Sequence, residues 1–460
     1  MRGLKSFGGL VVVLVGLGAY LYFVESKRTA GDDTPKKDRV FTLEADKIDE
    51  ITIKSESGER TTLRKTGTTW EIVQPAVARP DDTEVNGLTS NLSSLELQRV
   101  VEENPTDLKE FGLAEPRLEV SFKSGGKEQR LLIGQKTPTG TDLYAKLGDQ
   151  KKVFLISSFL DTTFNRTSFD LRDKAALKVD REKVDSMEIT IPERTLRVQK
   201  ANGEWQMTQP AATRADFGAI DGLVSKLTGA QMKAITAAEA ADLKPYGLDK
   251  PVATVRVGAG SAQATLAIGG PAAEGTVYAK DLSRPAVFTI EASLLDEVKK
   301  EPSEYRQKDL FDVRAFNATR VEVTRAGQTV AFEKTKTKDQ AGKEEEKWRK
   351  VLPSTGDADG PNVEALISAA AAARATGFVE NTAKTGLEKP ELTIAITSDA
   401  GKDDRVTFAR SGSDGYASRA GSPGAAKIET ATIDSIVKAL ETAQKPPEPA
   451  ADKKSPPDKK

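Results

Sequence analysis

A chain of 460 residues exceeds what one hydrophobic core organises, so two to four domains are expected. Its 68 Lys and Arg balance 69 Asp and Glu, a net charge of −1 that lacks the basic excess of a dedicated nucleic-acid binder. There is no histidine and no cysteine. That removes Ser–His–Asp and Cys–His catalysis, Cys/His zinc sites, haem ligation by either residue, iron–sulfur clusters and disulfides. It also removes the acylated cysteine of a bacterial lipoprotein. Apolar residues at 38%, together with 36 glycines, mark a folding chain.

In chain order, residues 7–24 (FGGLVVVLVGLGAYLYFV) are uncharged and mostly apolar, flanked by Arg2 and Lys5 before and Lys27 and Arg28 after. At 1.5 Å per residue such a helix spans ~27 Å, enough for the hydrocarbon of a bilayer. Tyr20, Tyr22 and Phe23 gather at one end as an interfacial belt would. The stretch ends in YLYFVES, without a small-x-small cleavage site, so residues 1–26 read as an uncleaved signal anchor rather than a signal peptide. The expected orientation puts the N-terminus inside and the bulk of the chain outside the cytoplasmic membrane. Residues 27–38 form a polar linker.

Trp70, Trp205 and Trp348, the only tryptophans, open three copies of one pattern. From each indole the offsets agree: Pro75, Pro210 and Pro353; Asp81, Asp216 and Asp359; then Val85, Ile220 and Val363; then Leu88, Leu223 and Leu366. Strands alternate before each Trp (47–54, 186–191 and 319–324), and a second strand leads into the Trp strand itself. The prolines are expected to end that strand, since proline donates nothing to a ladder. Each Asp sits where a helix N-cap belongs, and the apolar residues after it follow helical spacing. The turns FGLAEP, YGLDKP and TGLEKP place Gly112, Gly247 and Gly386 where positive φ is needed, and Pro116, Pro251 and Pro390 where extended chain resumes. Strands at 118–122, 131–134 and 143–146, and a last strand with a short helix at 153–164, complete the first copy, with counterparts in the other two. The third copy carries a charged hairpin insertion at 335–347.

The pattern predicts an α+β fold: three tandem repeats of mixed strands with about two helices each, behind an N-terminal transmembrane helix. Repeat domains are expected at 39–174, 175–312 and 313–441 (the third divergent), with a disordered Pro/Lys tail at 442–460.

No catalytic, cofactor or metal set emerges. GDADG (356–360) has Thr355 and Leu366 where a calcium loop needs acids, and no phosphate loop occurs. VGAGSAQ (257–263) is followed by a strand, against a dinucleotide fingerprint. Carboxylate pairs for glycoside cleavage stay open, though none stands out. The indoles read as core anchors, with a stacking platform as the rival, and Tyr144, Tyr278 and Tyr416 read likewise. Arg172 and Arg306 read as ion-pair residues at repeat ends.

These motifs resemble a bacterial family known as domain of unknown function 4340. The residues are Trp70–Pro75, Phe111–Pro116, Ile133–Gly134 and Tyr144–Lys146, then Trp205–Pro210, Tyr246–Pro251, Ile268–Gly269 and Tyr278–Lys280. The third copy departs, with Thr385, Ala409–Arg410 and Ser418 at the matching places. The resemblance implies a membrane-anchored extracytoplasmic scaffold or accessory subunit, encoded near ABC-type transporter components and possessing no known reaction. The alternative is a cell-envelope glycan-binding or carboxylate-based glycan-cleaving protein.

Overall fold

The computed structural model describes residues 38–338 and 344–447. The expected anchor at 7–24, nearly all of the linker, and the tail from residue 448 on lie outside them. No helix among the described residues is long and apolar enough to cross a membrane.

The first sheet has eight strands: β1 Ile48–Lys54, β2 Arg60–Thr66, β3 Thr69–Gln74, β4 Arg99–Glu102, β5 Leu118–Ser124, β6 Lys127–Lys136, β7 Asp142–Leu147 and β8 Val153–Ser157. Their order across the sheet is β3-β2-β1-β5-β6-β7-β8-β4. The second sheet repeats this order from Ser186–Ile191 to Val287–Glu291, and the third from Ala318–Arg325 to Ala425–Ile428. Each of these two adds a short strand outside its Trp strand, Thr213–Arg214 and Gly356–Asp357, and so has nine strands.

The expected α+β class with mixed strands is overturned. Every pairing is antiparallel in the first sheet, the second and the third. Strand dominates each repeat, and its helices are accessories to one sheet. The reason is in the turns. Links such as Gly125–Gly126 and Asn202–Gly203 only reverse the chain, so successive strands pair as hairpins.

Alternation then sorts side chains onto two faces. In the first repeat Leu118, Val120, Phe122, Leu131 and Ile133 enter the main core with Val85, Leu88 and Leu92 from the Asp82–Ser93 helix. Phe41 meets Phe122 edge-on at 4.9 Å. Leu132 and Val153, from the intervening positions, join Phe111, Leu113 and Tyr144 in a smaller cluster on the opposite face. The second repeat builds the same minor cluster from Leu248, Ala267 and Val287 with Tyr246 and Tyr278.

The chain forms two compact units, one ending at Lys174 and one beginning at Ala175. The second unit holds the second and third sheets. Its last helix, Thr430–Ala443, runs past the expected end of the third repeat.

Candidate functional site

The repeat-defining residues occupy equivalent places, and all serve the fold. Asp81 accepts from the amides of Thr83 and Glu84, Asp216 from that of Ala219 and Asp359 from that of Asn362, each at a helix start. Pro75, Pro210 and Pro353 all follow cis peptide bonds, a detail that sequence reading did not supply. Gly112, Gly247 and Gly386 adopt φ of +66°, +63° and +75°. Pro116, Pro251 and Pro390 lead into Leu118–Ser124, Ala253–Ala259 and Leu392–Ser398.

The Gly turn and the Ile–Gly strand end are one device. A Cβ on Gly134 would stand 2.1 Å from the Phe111 carbonyl oxygen, and one on Gly269 would stand 2.1 Å from that of Tyr246. The backbones touch there, so no side chain fits. The aromatic before each turn packs on the recurring tyrosine: Phe111 on Tyr144 at 5.1 Å, and Tyr246 on Tyr278 at 5.2 Å. Lys146 Nζ donates to the Leu147 carbonyl at 2.8 Å, and Lys280 Nζ to those of Arg284 and Pro285 at 2.5 and 2.6 Å, so the basic residue after the tyrosine ties down the next turn. In the third copy Thr385 replaces the aromatic and is buried, its hydroxyl donating to the Thr382 carbonyl.

The indoles differ. Trp205 and Trp348 are 4% and 5% exposed, whereas Trp70 is half-buried at the margin of its core. A lysine sits directly across the ladder from each: Lys65, Lys200 and Lys334. Lys200 and Lys334 place their ammonium groups 5.0 and 5.2 Å from the ring centroids, while Lys65 donates instead to the Asp46 carbonyl at 3.1 Å. This pairing was missed in the sequence. Lys65 and Lys200 each stand five residues before their Trp, but the hairpin insertion moves Lys334 out of that register.

A network of charged groups around the fully buried Asp404 lies inside the second unit, where the second and third sheets meet. Arg214, from the short outer strand, donates through Nη1 to Asp312 and through Nη2 to the Asp309 carbonyl at 2.6 Å. Asp312 also accepts from Lys402 at 2.7 Å and from Arg419 at 3.0 Å. Arg419 reaches Asp404 as well, and Asp404 is 0% exposed. Its other oxygen accepts from the amides of Asp312 and Val313 at 2.5 and 2.9 Å. Burial raises the cost of the Asp312 charge, yet Lys402, Arg214 and Arg419 outweigh it and hold the carboxyl down at about 2. Burial lowers the pKa of Arg214, and Arg419 adds to the shift.

Beside this network lies a cavity of about 30 Å³ lined by Arg214, Arg306, Arg419, Gln307, Phe378 and Ser422 among others. The Arg306 guanidinium lies 3.9 Å over the Phe378 ring and donates to the Pro423 carbonyl at 3.2 Å. Burial depresses its pKa. Arg306 was expected to form an ion pair at the end of its repeat; it stacks and lines a cavity instead. Arg214, Asp312, Asp404 and Arg419 carry no mark in the sequence, because the network draws on separate segments and does not recur. Among the described residues, no group of three or more Asp or Glu could hold a metal.

Comparison with known proteins agrees with the repeat reading. No curated protein matches the chain. A DNA polymerase sliding clamp from Pseudomonas aeruginosa is similar at a TM-score of 0.16 and 8% identity, over 85% of this chain and 93% of that one. The DNA polymerase III subunit beta of the same organism gives 0.16 and 9% over the same shares. Likeness at that level carries no argument. The model of a family described as a domain of unknown function (DUF4340) matches residues 70–204 and again 205–390, each match opening on an indole. Over most of its length, then, this chain is built from copies of that domain, and it belongs to the DUF4340 family.

Proposed function

We propose that this protein is a non-enzymatic, membrane-anchored scaffold or accessory subunit on the outer face of the cytoplasmic membrane, associated with an ABC-type transport or export system. One observation carries the reading. The residues that define the family pattern are spent on caps, turns, ring contacts and backbone approach within each repeat, and none converges on a shared cleft. A family whose signature is architectural presents a surface rather than a reaction centre. The apolar stretch at 7–24 supports anchoring. With Trp205 and Trp348 buried, those indoles offer no platform for sugar rings.

The test is affinity purification of the full chain from its native membrane in mild detergent. The expected result is co-purification of transporter subunits in fixed ratio, lost on removal of residues 175–447 with the anchor kept. Recovery without any transporter subunit would end the partner assignment.

A further inference from the structure

Among the described residues, Nε of Arg306 and Nη1 of Arg419 are buried guanidinium nitrogens with no hydrogen-bond partner. Both side chains, with Arg214, line the cavity of about 30 Å³ where the second and third sheets meet. Buried N–H groups are almost always paired, and a charged donor left bare is more costly than a neutral one. The lining contains three arginines and no carboxylate. Asp312 and Asp404 face Arg214 and Arg419 from outside it, where those two arginines and Lys402 set three cations against two acids. Arg306 adds a further charge, with Glu380 as the acid that acts on it. Gln307, Thr213 and Ser422 bring neutral donors to the same wall.

We propose that this cavity is a seat for one small inorganic oxyanion of the phosphate or sulfate class, held by Arg306 and Arg419. Size sets the class. A single water needs roughly 10–15 Å³, so this cavity admits a small ion and nothing as large as a cofactor. Chemistry sets the sign: planar guanidinium forks match oxyanions, and in desolvated surroundings the attraction is stronger than in water. Bound there, the ion would join the Arg306 loop of the second repeat to the Arg419–Gly424 segment of the third. The site is independent of any transporter partner, so failure of either proposal leaves the other standing.

The experiment titrates purified full-length protein with inorganic phosphate, by calorimetry and thermal unfolding, against chloride at matched ionic strength. Saturable binding with a rise in Tm is expected, competed by sulfate and absent with chloride. Arg306→Gln should weaken phosphate at least tenfold, whereas Arg197→Gln, whose partner is the exposed-sheet Glu188, should leave it unchanged. Arg306→Lys, which keeps the charge but loses the fork, gives a milder replacement and should fall between wild type and Arg306→Gln. Equal effects of phosphate and chloride, or unaltered phosphate affinity in a folded Arg306 variant, would overturn the assignment.

Discussion

The second and third repeats hold their opening segments with opposite chemistry. In the second, Arg284 donates through Nη2 to the carbonyls of Ala175 and Ala176, both at 2.8 Å, and is itself held by Asp281, which is 1% exposed. In the third, the carboxylate of Asp404 takes the amides of Asp312 and Val313, and Arg419 neutralises it. Asp281 and Arg419 occupy the same register, three residues after Tyr278 and Tyr416. In these two repeats the opening segment is pinned at that place, by a donor to carbonyls or an acceptor from amides, whereas the first repeat has Leu147 there, packed against its core. The sheet fixes where the clasp sits and leaves its polarity free.

The largest effect should come from breaking each clasp. Asp404→Ala strands two amides and a buried arginine, and about 3–5 kcal/mol of stability should be lost in denaturant unfolding. Arg284→Ala leaves Asp281 uncompensated, but the side chain removed is 30% exposed where that of Asp404 is 0%, so its cost should be smaller, about 2–3 kcal/mol. Equal losses would show that burial does not set the difference.

The indoles come next. Trp205→Ala and Trp348→Ala each remove a buried ring and should cost about 3–5 kcal/mol, while Trp70→Ala, at a core margin, should cost less than half as much. A Trp70 variant as damaging as the others would sink the ranking drawn from burial.

Acid should weaken the contact between the second and third repeats, which Asp312 shares through Arg214, Lys402 and Arg419. The Asp312 carboxyl sits at about 2 when folded against an ordinary value near 3.8, so its contribution is complete above pH 4 and drains away as pH falls toward 2. The depression corresponds to about 2 kcal/mol. Asp312→Asn should flatten the stability profile between pH 4 and pH 2 relative to wild type; an unchanged slope would remove Asp312 from the account.

Smallest of all are the helix caps, where the repeats should agree. Asp81→Ala, Asp216→Ala and Asp359→Ala should each cost about 1 kcal/mol, and Asn at the same places much less, read as shifts in denaturant midpoint.

Local grammar was legible in the sequence and distant pairing was not. The caps at Asp81, Asp216 and Asp359, the positive-φ glycines and the strands around each Trp follow from neighbouring residues. Arg99–Glu102 was missed because it is short and largely exposed, carrying no alternation to detect, yet it closes the far edge of the first sheet against Val153–Ser157. Antiparallel pairing throughout was implied by the short turns, but the helices suggested a mixed class. The Arg214–Asp312–Arg419–Asp404 cluster stayed hidden because it assembles from segments far apart in the chain and occurs once.

The family matches begin at Trp70 and Trp205, while the first and second sheets begin with Ile48 and Ser186. The unit recognised in sequence is thus out of phase with the unit that folds, by two strands. A fragment severed between Glu204 and Trp205 would split the strand Glu204–Gln209 and part Trp205 from Lys200 across the ladder. Division between Lys174 and Ala175 falls between the two compact units instead, so the natural seam of this protein follows its packing rather than its sequence signature.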